Sequence, residues 1–520
     1  MSSIIKYHRD CNPTIASLTL VLLLLALLLP LTTHAQDFTP DTRLQPSPPL
    51  REFRGVWVAT VYNIDWPSRP GLTAAQQQGE MIAILNRAAA LHLNAVIFQV
   101  RPMADAFYKS RIEPWSHYLS GEMGKSPGYD PLAFAVYEAH RRGLELHAWF
   151  NPYRAKTGSK MSLHKKHVSR SQKSVIRKAG KGLWMDPSSD FTRERMITVV
   201  MDVVKRYDVD GIHIDDYFYP YPEAGGGAAF NDSANWNAYQ KNGGQLKRAD
   251  WRRDHVNRLV RELYASIKRA KPQVKFGVSP FGIWKPGYPS TVEGRLDAHG
   301  QLYADSRRWL HEGWLDYISP QLYWQTQGPQ SFTSLYNWWQ SENSKGRHLW
   351  PGIAISRIGR KGSGEGDGRS ASEILTQINT TRNNRGSSPG TGHIFWNEKA
   401  LRRNAGKIQQ SLLQSSYSER ALVPASPWLG NGKGMPQAVV TQARLNGDRI
   451  SLKWYPEGKR ASSVRWWVIQ VLEGKHWRIA STLPSAATGI DVINAKNITA
   501  ISIRPVDAAG GVGRAIALRK

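Results

Sequence analysis

Residues 211–220 read GIHIDDYFYP, where an apolar strand ends at two adjacent carboxylates, Asp215 and Asp216. Ionised carboxylates repel each other, and the aromatic residues that follow solvate them poorly. The same succession of a short apolar run and a polar, aromatic ending recurs along the chain. The pattern predicts eight strands, at residues 55–60, 95–101, 145–150, 211–215, 275–279, 317–321, 352–355 and 392–396.

Helical patterns lie between these strands. Asp130 and Pro131 predict the start of one helix, and Gly143 follows its last turn. Pro272 stops another helical series. Eight alternations of strand and helix favour the α/β class and, within it, a parallel (β/α)8 TIM barrel. A doubly wound open sheet is the alternative, because strand count alone does not prove closure.

The chain divides into blocks of different composition. Residues 36–50 form a Pro-rich lead-in, and residues 51–415 carry the alternation of strands and helices. Residues 416–437 are rich in Pro, Gly and Ser, which is typical of a linker. Residues 438–520 contain only short alternating strands, which predict a small all-β sandwich, fibronectin type III-like in its strand pattern. We interpret this last block as an ancillary module that binds something or supports the barrel.

Residues 1–35 have the pattern of a secretory signal peptide. An apolar run at 18–29 follows two basic residues, and the small-x-small pattern that ends at Ala35 predicts cleavage there. The run is shorter than the ~20 residues that a membrane span needs, so no stable span is expected, and an uncleaved anchor is the alternative. The single cysteine, Cys11, precedes the run and cannot accept a lipid. We therefore predict an exported protein, periplasmic or extracellular, that is not a lipoprotein.

The chain is strongly basic, with a formal net charge of +28. Such a field favours anionic polymers, although some exported proteins are simply basic. Basic residues concentrate in loop 155–182, a candidate contact for an anionic polymer, and a disordered, solvated insertion is the alternative. No nucleic-acid partner is expected, because basic and aromatic residues are not interleaved on a repeated module.

The predicted strand ends carry carboxylates beside aromatic rings, and in a TIM barrel such ends form the functional face. Sugars pack their C–H faces on rings and bind carboxylates and amides through their hydroxyls. Cleavage of a glycosidic bond needs two carboxyl groups, which we predict among Asp215, Asp216 and Glu113. The predicted substrate-binding residues are Arg101, Asp105, Tyr108, His147, Trp149, Asn151, Arg154, His213, Tyr217, Gln321, Tyr323, Trp324, Trp396 and Asn397. No cofactor and no metal is predicted, since His164 and His167 have a metal-like spacing but no acids nearby.

The roles within the carboxylate pair are left open by the sequence. Alternation along the strand sends His213 and Asp215 to one face, so Asp216 points to the rim unless the chain has already turned. An isolated Asp-Asp is more often a turn or a helix cap, and aromatic residues at strand ends are more often lids of the core. Their recurrence across several strand ends favours a site.

Six motifs occur in the order that characterises one known family: RGVWVAT, NAVIFQVRP with DAFY and EPWS, LHAWFNPYR, WMDP, DGIHIDDYFYP and SPQLYW. Over most of residues 51–400 the chain resembles the glycoside-hydrolase-like family 10 proteins. The resemblance implies a (β/α)8 hydrolase of the bacterial envelope and, as in DigH-type members, cleavage of peptidoglycan strands stripped of their peptides. It carries the strand-four acids of the family onto Asp215 and Asp216, its strand-two acids onto Asp105 and Glu113, and its Asn-Pro-Tyr-Arg motif onto residues 151–154. Some members are lipoproteins, whereas this chain lacks the lipid-accepting cysteine.

Two functions are carried forward from these patterns. The first is a glycoside hydrolase that uses carboxylate acid/base chemistry on an envelope glycan, and the second is a non-catalytic, glycan-binding scaffold of the envelope. Carboxylates at several strand ends favour hydrolysis. A cationic binder of nucleic acid or lipopolysaccharide is disfavoured by the lack of a repeated basic module. The stereochemical course, the linkage cut and the oligomeric state are not predicted.

Overall fold

The structure, a computed structural model, describes residues 36–158, 160–222, 230–359, 361–362, 366–458 and 460–520. The chain forms two compact units. The larger unit comprises residues 50–433 and 507–511, and the smaller comprises residues up to 49 with 434–506 and 512–520. The predicted signal peptide lies outside the described residues. Across the described part of the chain, no helix combines the length and the apolar character that crossing a bilayer requires.

A curled, parallel sheet forms the centre of the larger unit. Its nine strands are β1 (Phe53–Val58), β2 (Ala95–Arg101), β3 (Glu145–Phe150), β4 (Gly211–Ile214), β5 (Lys275–Val278), β6 (Tyr317–Ile318), β7 (His348–Leu349), β8 (Gly352–Ile353) and β9 (Gly392–Phe395). Their order across the sheet is β7-β6-β5-β4-β3-β2-β1-β9-β8, with parallel pairing throughout. The two edge strands, β7 and β8, belong to one short segment of chain, and Gly352 of β8 also bridges to Gln321, just beyond β6. The sheet therefore curls until its edges approach each other.

The predicted strands all have counterparts in this sheet. Strands β2 and β3 have the predicted bounds, whereas β6 ends at Ile318 instead of continuing to Gln321. Pro320 explains the shorter strand, since proline has no N–H to donate to a neighbouring strand. Strand β7 was not predicted separately, because a two-residue strand carries no periodic pattern.

Helices connect the strands, and most of the longer ones pack against the sheet through a common apolar core. The side chain of Asp130 caps one of them by accepting from the N–H of Ala133 at 3.1 Å, which confirms the predicted start. The longer helices are Ala74–Ala90, Pro131–His140, Asp190–Arg206, Ser233–Lys241, Arg248–Ala270, Phe332–Ser341 and Ala371–Asn383. The shorter ones are His117–Ser120, Val168–Ser171, Ala298–Gln301, Ser306–Glu312, Glu398–Arg403 and Ile408–Gln414.

A second apolar cluster is formed by side chains of the strands themselves and of neighbouring residues. It contains bulky rings, and the rings of Phe53 and Trp350 stack with centroids 3.8 Å apart. Trp57 and Trp149 belong to the same cluster and also line the cavity described below. The interior of the curled sheet is thus a packed core that supports the site, as is general in parallel β/α folds.

The basic segment between β3 and β4, residues 154–185, has its own small fold, and we call it the basic arm. Strands Arg154–Lys156, Gly182–Met185 and Ile176–Ala179 form an antiparallel sheet. Buried Ala155, Val168, Val175 and Met185 give it a core. For its described residues, the alternative of a disordered insertion is therefore wrong. No strand was predicted here, because lysines interrupt the alternation of apolar and polar residues.

The smaller unit consists of two antiparallel sheets. One contains Gln36–Asp37, Gln437–Asn446, Arg449–Glu457 and Gly489–Val492, in that order. The other runs in the order His476–Pro484, Trp466–Glu473, Ile498–Val506, Ile516–Arg519, Thr39–Pro40. A shared core includes Ile450, Trp454, Trp467, Ile469 and Ile503. The Pro-rich lead-in thus adds an edge strand to each sheet, and residues 416–433, interpreted as linker, are grouped with the larger unit.

Candidate active site

A cavity of about 320 Å³ lies at the carboxyl ends of the parallel strands. Its walls combine rings with hydrogen-bonding groups. The rings are those of Trp57, Trp149, Tyr217, Tyr221, Tyr323 and Trp396. The polar side chains are those of Asp215, Asp216, Ser279, Gln321, Ser356 and Arg357. Such a lining can hold a ligand that has both apolar faces and hydroxyl groups.

Asp215 follows β4 and is only 3% exposed. Its Oδ2 accepts a hydrogen bond from the indole Nε1 of Trp149 at 3.1 Å and another from the side-chain amide of Asn151. Its Oδ1 accepts from the backbone N–H of Tyr217 at 3.3 Å. All three partners are N–H groups that donate here, so their hydrogen bonds favour the ionised form of Asp215.

Asp216 is equally buried, at 4% exposure, but its partners differ in kind. Its carboxyl group bonds to the hydroxyl of Tyr221 and to the side chain of Gln321. A tyrosine hydroxyl can donate to a carboxylate or accept from a protonated carboxyl group. The surroundings of Asp216 therefore accommodate both protonation states.

The two carboxyl groups titrate as a pair. Burial is the largest cause that raises the pKa of both, and the charge of Asp216 adds to the rise at Asp215. Arg154 opposes the rise at both groups. Because ionising both carboxyl groups is unfavourable, the pair retains a proton at pH values well above the ordinary pKa of an aspartate.

Arg154 places a fixed cation beside the pair. Its guanidinium carbon lies 4.8 Å from the ring centroid of Tyr217, and its Nε donates to the carbonyl of Pro102 at 2.9 Å. The residue begins the basic arm, so the arm contributes directly to the electrostatics of the cavity.

The floor of the cavity continues into a chain of buried hydrogen bonds. At its upper end, Nε2 of His213 lies 3.2 Å from the indole Nε1 of Trp57 and 2.9 Å from Oγ of Ser279. An indole N–H can only donate, so Nε2 is the unprotonated nitrogen of a neutral imidazole. Burial lowers the pKa of His213 well below its ordinary value, which agrees with a neutral ring. Ser279 must then donate its proton to the same nitrogen.

The direction of the remaining protons follows from that assignment. His213 donates from Nδ1 to the hydroxyl of Tyr317 at 3.0 Å, and this hydroxyl donates to Nδ1 of His147 at 2.9 Å. His147 then donates from Nε2 to the carboxylate of Glu145 at 3.0 Å, where Nζ of Lys275 lies 2.9 Å away. In this series of hydrogen bonds, the hydroxyl hydrogens of Ser279 and Tyr317 both point away from the cavity. The serine at its upper end therefore offers only lone pairs to the cavity, and acts there as a hydrogen-bond acceptor.

The structure brings one part of the predicted set together. Seven predicted residues line the cavity: Trp149, Asp215, Asp216, Tyr217, Gln321, Tyr323 and Trp396. Three more contact these from behind: Asn151 through Asp215, Arg154 through Tyr217, and His213 through the ring of Trp149 at 6.4 Å between centroids. These ten residues come from β3, β4 and the segments that follow β3, β4, β6 and β9.

Glu113 lies elsewhere, in a buried ion pair. Its two oxygens accept from Nε and Nη2 of Arg101, each at 2.7 Å, and Arg195 lies 3.5 Å away. Burial alone raises the pKa of Glu113, but the charge and hydrogen bonds of Arg101 outweigh burial, and the net pKa is lowered. A carboxylate held ionised and outside the cavity lining cannot act as the acid. Position therefore favours the aspartate pair, and a catalytic role of Glu113 stays a prediction.

Six predicted substrate-binding residues also lie outside the cavity lining, namely Arg101, Asp105, Tyr108, His147, Trp324 and Asn397. Arg101 and His147 are buried in the ion pair and in the chain described above. Asp105 is fully buried, which raises its pKa to about 6, and it accepts from the N–H of Met103 at 3.0 Å. Asn397 caps the helix Glu398–Arg403. Contact of these six residues with substrate stays a prediction, since none of them lines the cavity.

Sequence reasoning missed six residues of the cavity lining: Trp57, Tyr221, Ser279, Ala354, Ser356 and Arg357. Trp57 and Ser279 could have been found, since both lie at predicted strands and alternation assigns them an inward face. Ala354, Ser356 and Arg357 follow β8 in a short turn that has no periodic signal.

No three His, Cys, Asp or Glu side chains in the described ranges cluster so that they could hold a metal ion. His167 instead bonds through Nε2 to the carbonyl of Met103 at 3.1 Å.

A buried carboxyl pair in an aromatic cavity, at the carboxyl ends of parallel strands, is the arrangement of hydrolase-like, carbohydrate-active α/β proteins. Comparison with known sequences agrees with this class. The chain belongs to the glycosyl hydrolase-like 10 family, whose sequence model matches residues 52–365. The resemblance inferred from the six motifs is thereby confirmed.

Two relatives carry hydrolase names. Glycosyl hydrolase YngK of Bacillus subtilis is 39% identical over 438 residues, which cover 82% of this chain and 84% of the relative. Glycosyl hydrolase DigH of Escherichia coli (strain K12) is 37% identical over 360 residues, which cover 65% of this chain and 80% of the relative. Among solved structures, a β-galactosidase of the psychrophilic Marinomonas ef1 is 11% identical with a TM-score of 0.42, over 74% of this chain and 62% of the other. That structural likeness is too distant to bear on the reaction.

Proposed function

We propose that the protein is a glycoside hydrolase that cleaves a bacterial envelope glycan, with Asp215 and Asp216 as its catalytic carboxyl groups. The observation that carries the proposal is that both groups line one aromatic cavity, where burial raises the pKa of each. Glycosidic cleavage needs one protonated and one ionised carboxyl group at the same bond. The names of the relatives, both glycosyl hydrolases, support the reaction class.

The hydrogen bonds suggest a division of labour within the pair. Asp215, which accepts from three N–H groups, is the ionised carboxylate that faces the anomeric carbon. We assign the acid to Asp216 on hydrogen bonding, because the hydroxyl of Tyr221 can accept its proton, and this outweighs the charge of Asp216 that would otherwise keep the proton on Asp215. Asp216 gives its proton to the glycosidic oxygen as the bond from that oxygen to the anomeric carbon breaks. Water supplies the new hydroxyl group, and its second proton restores Asp216.

The aromatic walls would hold the sugar rings. Trp396 lies 6.1 Å from Trp57 and 6.4 Å from Trp149, measured between ring centroids, so three indoles meet at one side of the cavity. Packing of C–H faces on these rings would leave the hydroxyl groups for Gln321 and for the accepting oxygen of Ser279.

The finer architecture belongs to the same proposal. We regard the larger unit as a closed (β/α)8 TIM barrel, since β7 and β8 belong to one segment and occupy opposite edges of the sheet. We regard the smaller unit as a fibronectin type III-like sandwich, which its two antiparallel sheets and shared core support. The catalytic domain would then extend over residues 51–415.

The proposed substrate is peptidoglycan whose glycan strands have lost their peptides. The resemblance of the six motifs points to this polymer, and a predicted signal peptide would bring the protein to it. Loss of the peptides exposes lactyl carboxylates, which the basic arm and the net charge of +28 would attract. The alternative remains a scaffold that binds the same glycan without cutting it.

The experiment is to incubate the purified mature protein with intact and with peptide-stripped peptidoglycan and to analyse the released fragments by mass spectrometry. The proposal predicts release from the stripped polymer, and none by folded Asp215→Asn or Asp216→Asn. Tight sedimentation onto both polymers without any release would instead favour the scaffold.

A further inference from the structure

The five-stranded sheet of the smaller unit has one face in the core and one face under the lead-in segment. Ile501 and Ile503 point into the core, so Ser502 and Arg504 point the other way. Residues 41–49 cover this second face: the amide of Gln470 donates to the carbonyl of residue 47 at 3.1 Å, and Nη2 of Arg504 reaches the carbonyl of residue 46 at 3.4 Å.

Arg504 is 7% exposed and lacks the partners that a buried guanidinium ordinarily has. Its Nε has no hydrogen-bond partner, and no carboxylate of the described residues lies within ion-pair distance of it. Burial lowers the pKa of Arg504, and no neighbouring charge opposes this effect. Buried charges are normally paired, because an unpaired one retains a large desolvation cost.

The guanidinium borders a cavity of about 290 Å³ that lies wholly within the smaller unit. Exposed Arg514 adds a second cation to its lining, and Leu44, Pro46 and Ile516 give it apolar walls. Asp41 also borders the cavity. Its carboxylate lies 3.6 Å from Arg43 and 3.4 Å from Arg519, so its charge is already offset.

We propose that this cavity is a second binding site, which takes a small carboxylate-bearing ligand, either an acidic sugar residue or an organic acid. The carboxylate would pair with the forked N–H groups of Arg504, as guanidinium groups do with carboxylates, and Arg514 would close the outer side. The carbon skeleton would lie against Leu44, Pro46 and Ile516. The smaller unit would thereby recognise acidic ligands independently of the carboxyl pair in the larger unit.

The test is isothermal titration calorimetry on the full mature protein with D-glucuronate, butyrate, D-glucose and inorganic phosphate. We expect saturable binding of at least one of the two acids, no binding of glucose, and weaker binding of phosphate. Binding of glucuronate alone would identify a sugar acid, and binding of butyrate alone an organic acid. Arg504→Met should abolish binding, Arg514→Gln should weaken it several-fold, and Arg449→Gln, on the other sheet, should leave it unchanged.

The fold of the Arg504→Met variant is itself informative. Because no carboxylate of the described residues pairs with the guanidinium, its replacement removes only the long hydrogen bond to the carbonyl of residue 46, and the Tm without ligand should equal or exceed that of the wild type. An unfolded or strongly destabilised Arg504→Met protein would overturn the premise of an unpaired charge. Failure of both acids to bind, equal binding of phosphate, or unchanged affinity in Arg504→Met would overturn the site.

Discussion

Single hydrogen bonds distinguish two carboxyl groups that are neighbours in sequence and equally buried. Asp215 is surrounded by donors that cannot accept, whereas Asp216 faces the hydroxyl of Tyr221, which can do both. Because burial raises the pKa of both groups, ionising them weakens the fold. The weakening grows as the pH rises from the unfolded pKa of an aspartate through the raised folded pKa.

Replacing Asp216 by Asn should therefore change stability in a pH-dependent way. The variant lacks one buried charge, so its Tm relative to wild type should be more favourable at about pH 8 than at about pH 4. Thermal unfolding at the two pH values measures this difference. Asp250→Asn, at a half-exposed carboxylate on a helix, is the control and should show no such trend. A pH-independent difference for Asp216→Asn would contradict the raised pKa.

Variants of Ser279 test the ordered hydrogen bonds beneath the cavity. Its proton is committed to His213, so its oxygen should accept from a donor group of the substrate. Ser279→Ala should lower kcat/KM about tenfold, the worth of one hydrogen bond, while Ser279→Thr should retain most of it. Ser319→Ala, at a buried serine outside the cavity lining, controls for the cost to the fold. Equal activity of Ser279→Ala and wild type would remove this role.

At the scale of elements, Glu113 joins the segment after β2 to the helix Asp190–Arg206. It does so through Arg101 on β2 and Arg195 on the helix. Glu113→Gln leaves a buried guanidinium without its counter-charge and should cost about 3–5 kcal/mol in the free energy of unfolding. Urea unfolding measures the loss, and exposed Glu312→Gln should cost under about 1 kcal/mol. A stable but inactive Glu113→Gln protein would instead support the predicted catalytic role of Glu113.

The basic arm follows β3, so topology places it at the carboxyl ends of the strands, on the side of the cavity. Lys165 and Lys166 are exposed on it. Neutralising both to Gln should raise KM for the anionic polymer and flatten its dependence on salt. The matched control pair is Lys205 and Lys345. Both are exposed, and they lie in the connections that lead into β4 and β7, at the opposite ends of the strands. An identical salt dependence in both double variants would exclude the arm from polymer binding.

The elements also show what the sequence could predict. Strands such as Ala95–Arg101 were located because buried parallel strands are continuous apolar runs bounded by polar residues. The partners of Glu113 could not be predicted, because the spacing of Arg101, Glu113 and Arg195 along the chain does not reveal that they meet. Ser356 and Arg357 were missed because a turn without periodicity carries no signal of the cavity that it borders.

At the scale of the whole molecule, the two units differ in how local their contacts are. The larger unit follows the order of its strands closely, which is why its class was predictable from alternation alone. The smaller unit uses Gln36–Asp37 and Thr39–Pro40 as edge strands, and their partners, Arg444 and Arg519 among them, lie more than 400 residues away in the chain. Short edge strands with such distant partners have no sequence signature of their own.

The role of the aspartate pair is tested by hydrolysing peptide-stripped glycan strands in water enriched in heavy oxygen and analysing the products by mass spectrometry. If Asp215 and Asp216 catalyse hydrolysis, the wild-type protein will place one heavy oxygen atom at each new reducing end. Folded Asp215→Asn and Asp216→Asn variants will release almost nothing. Release of fragments without heavy oxygen, or undiminished release by both variants, would contradict the account.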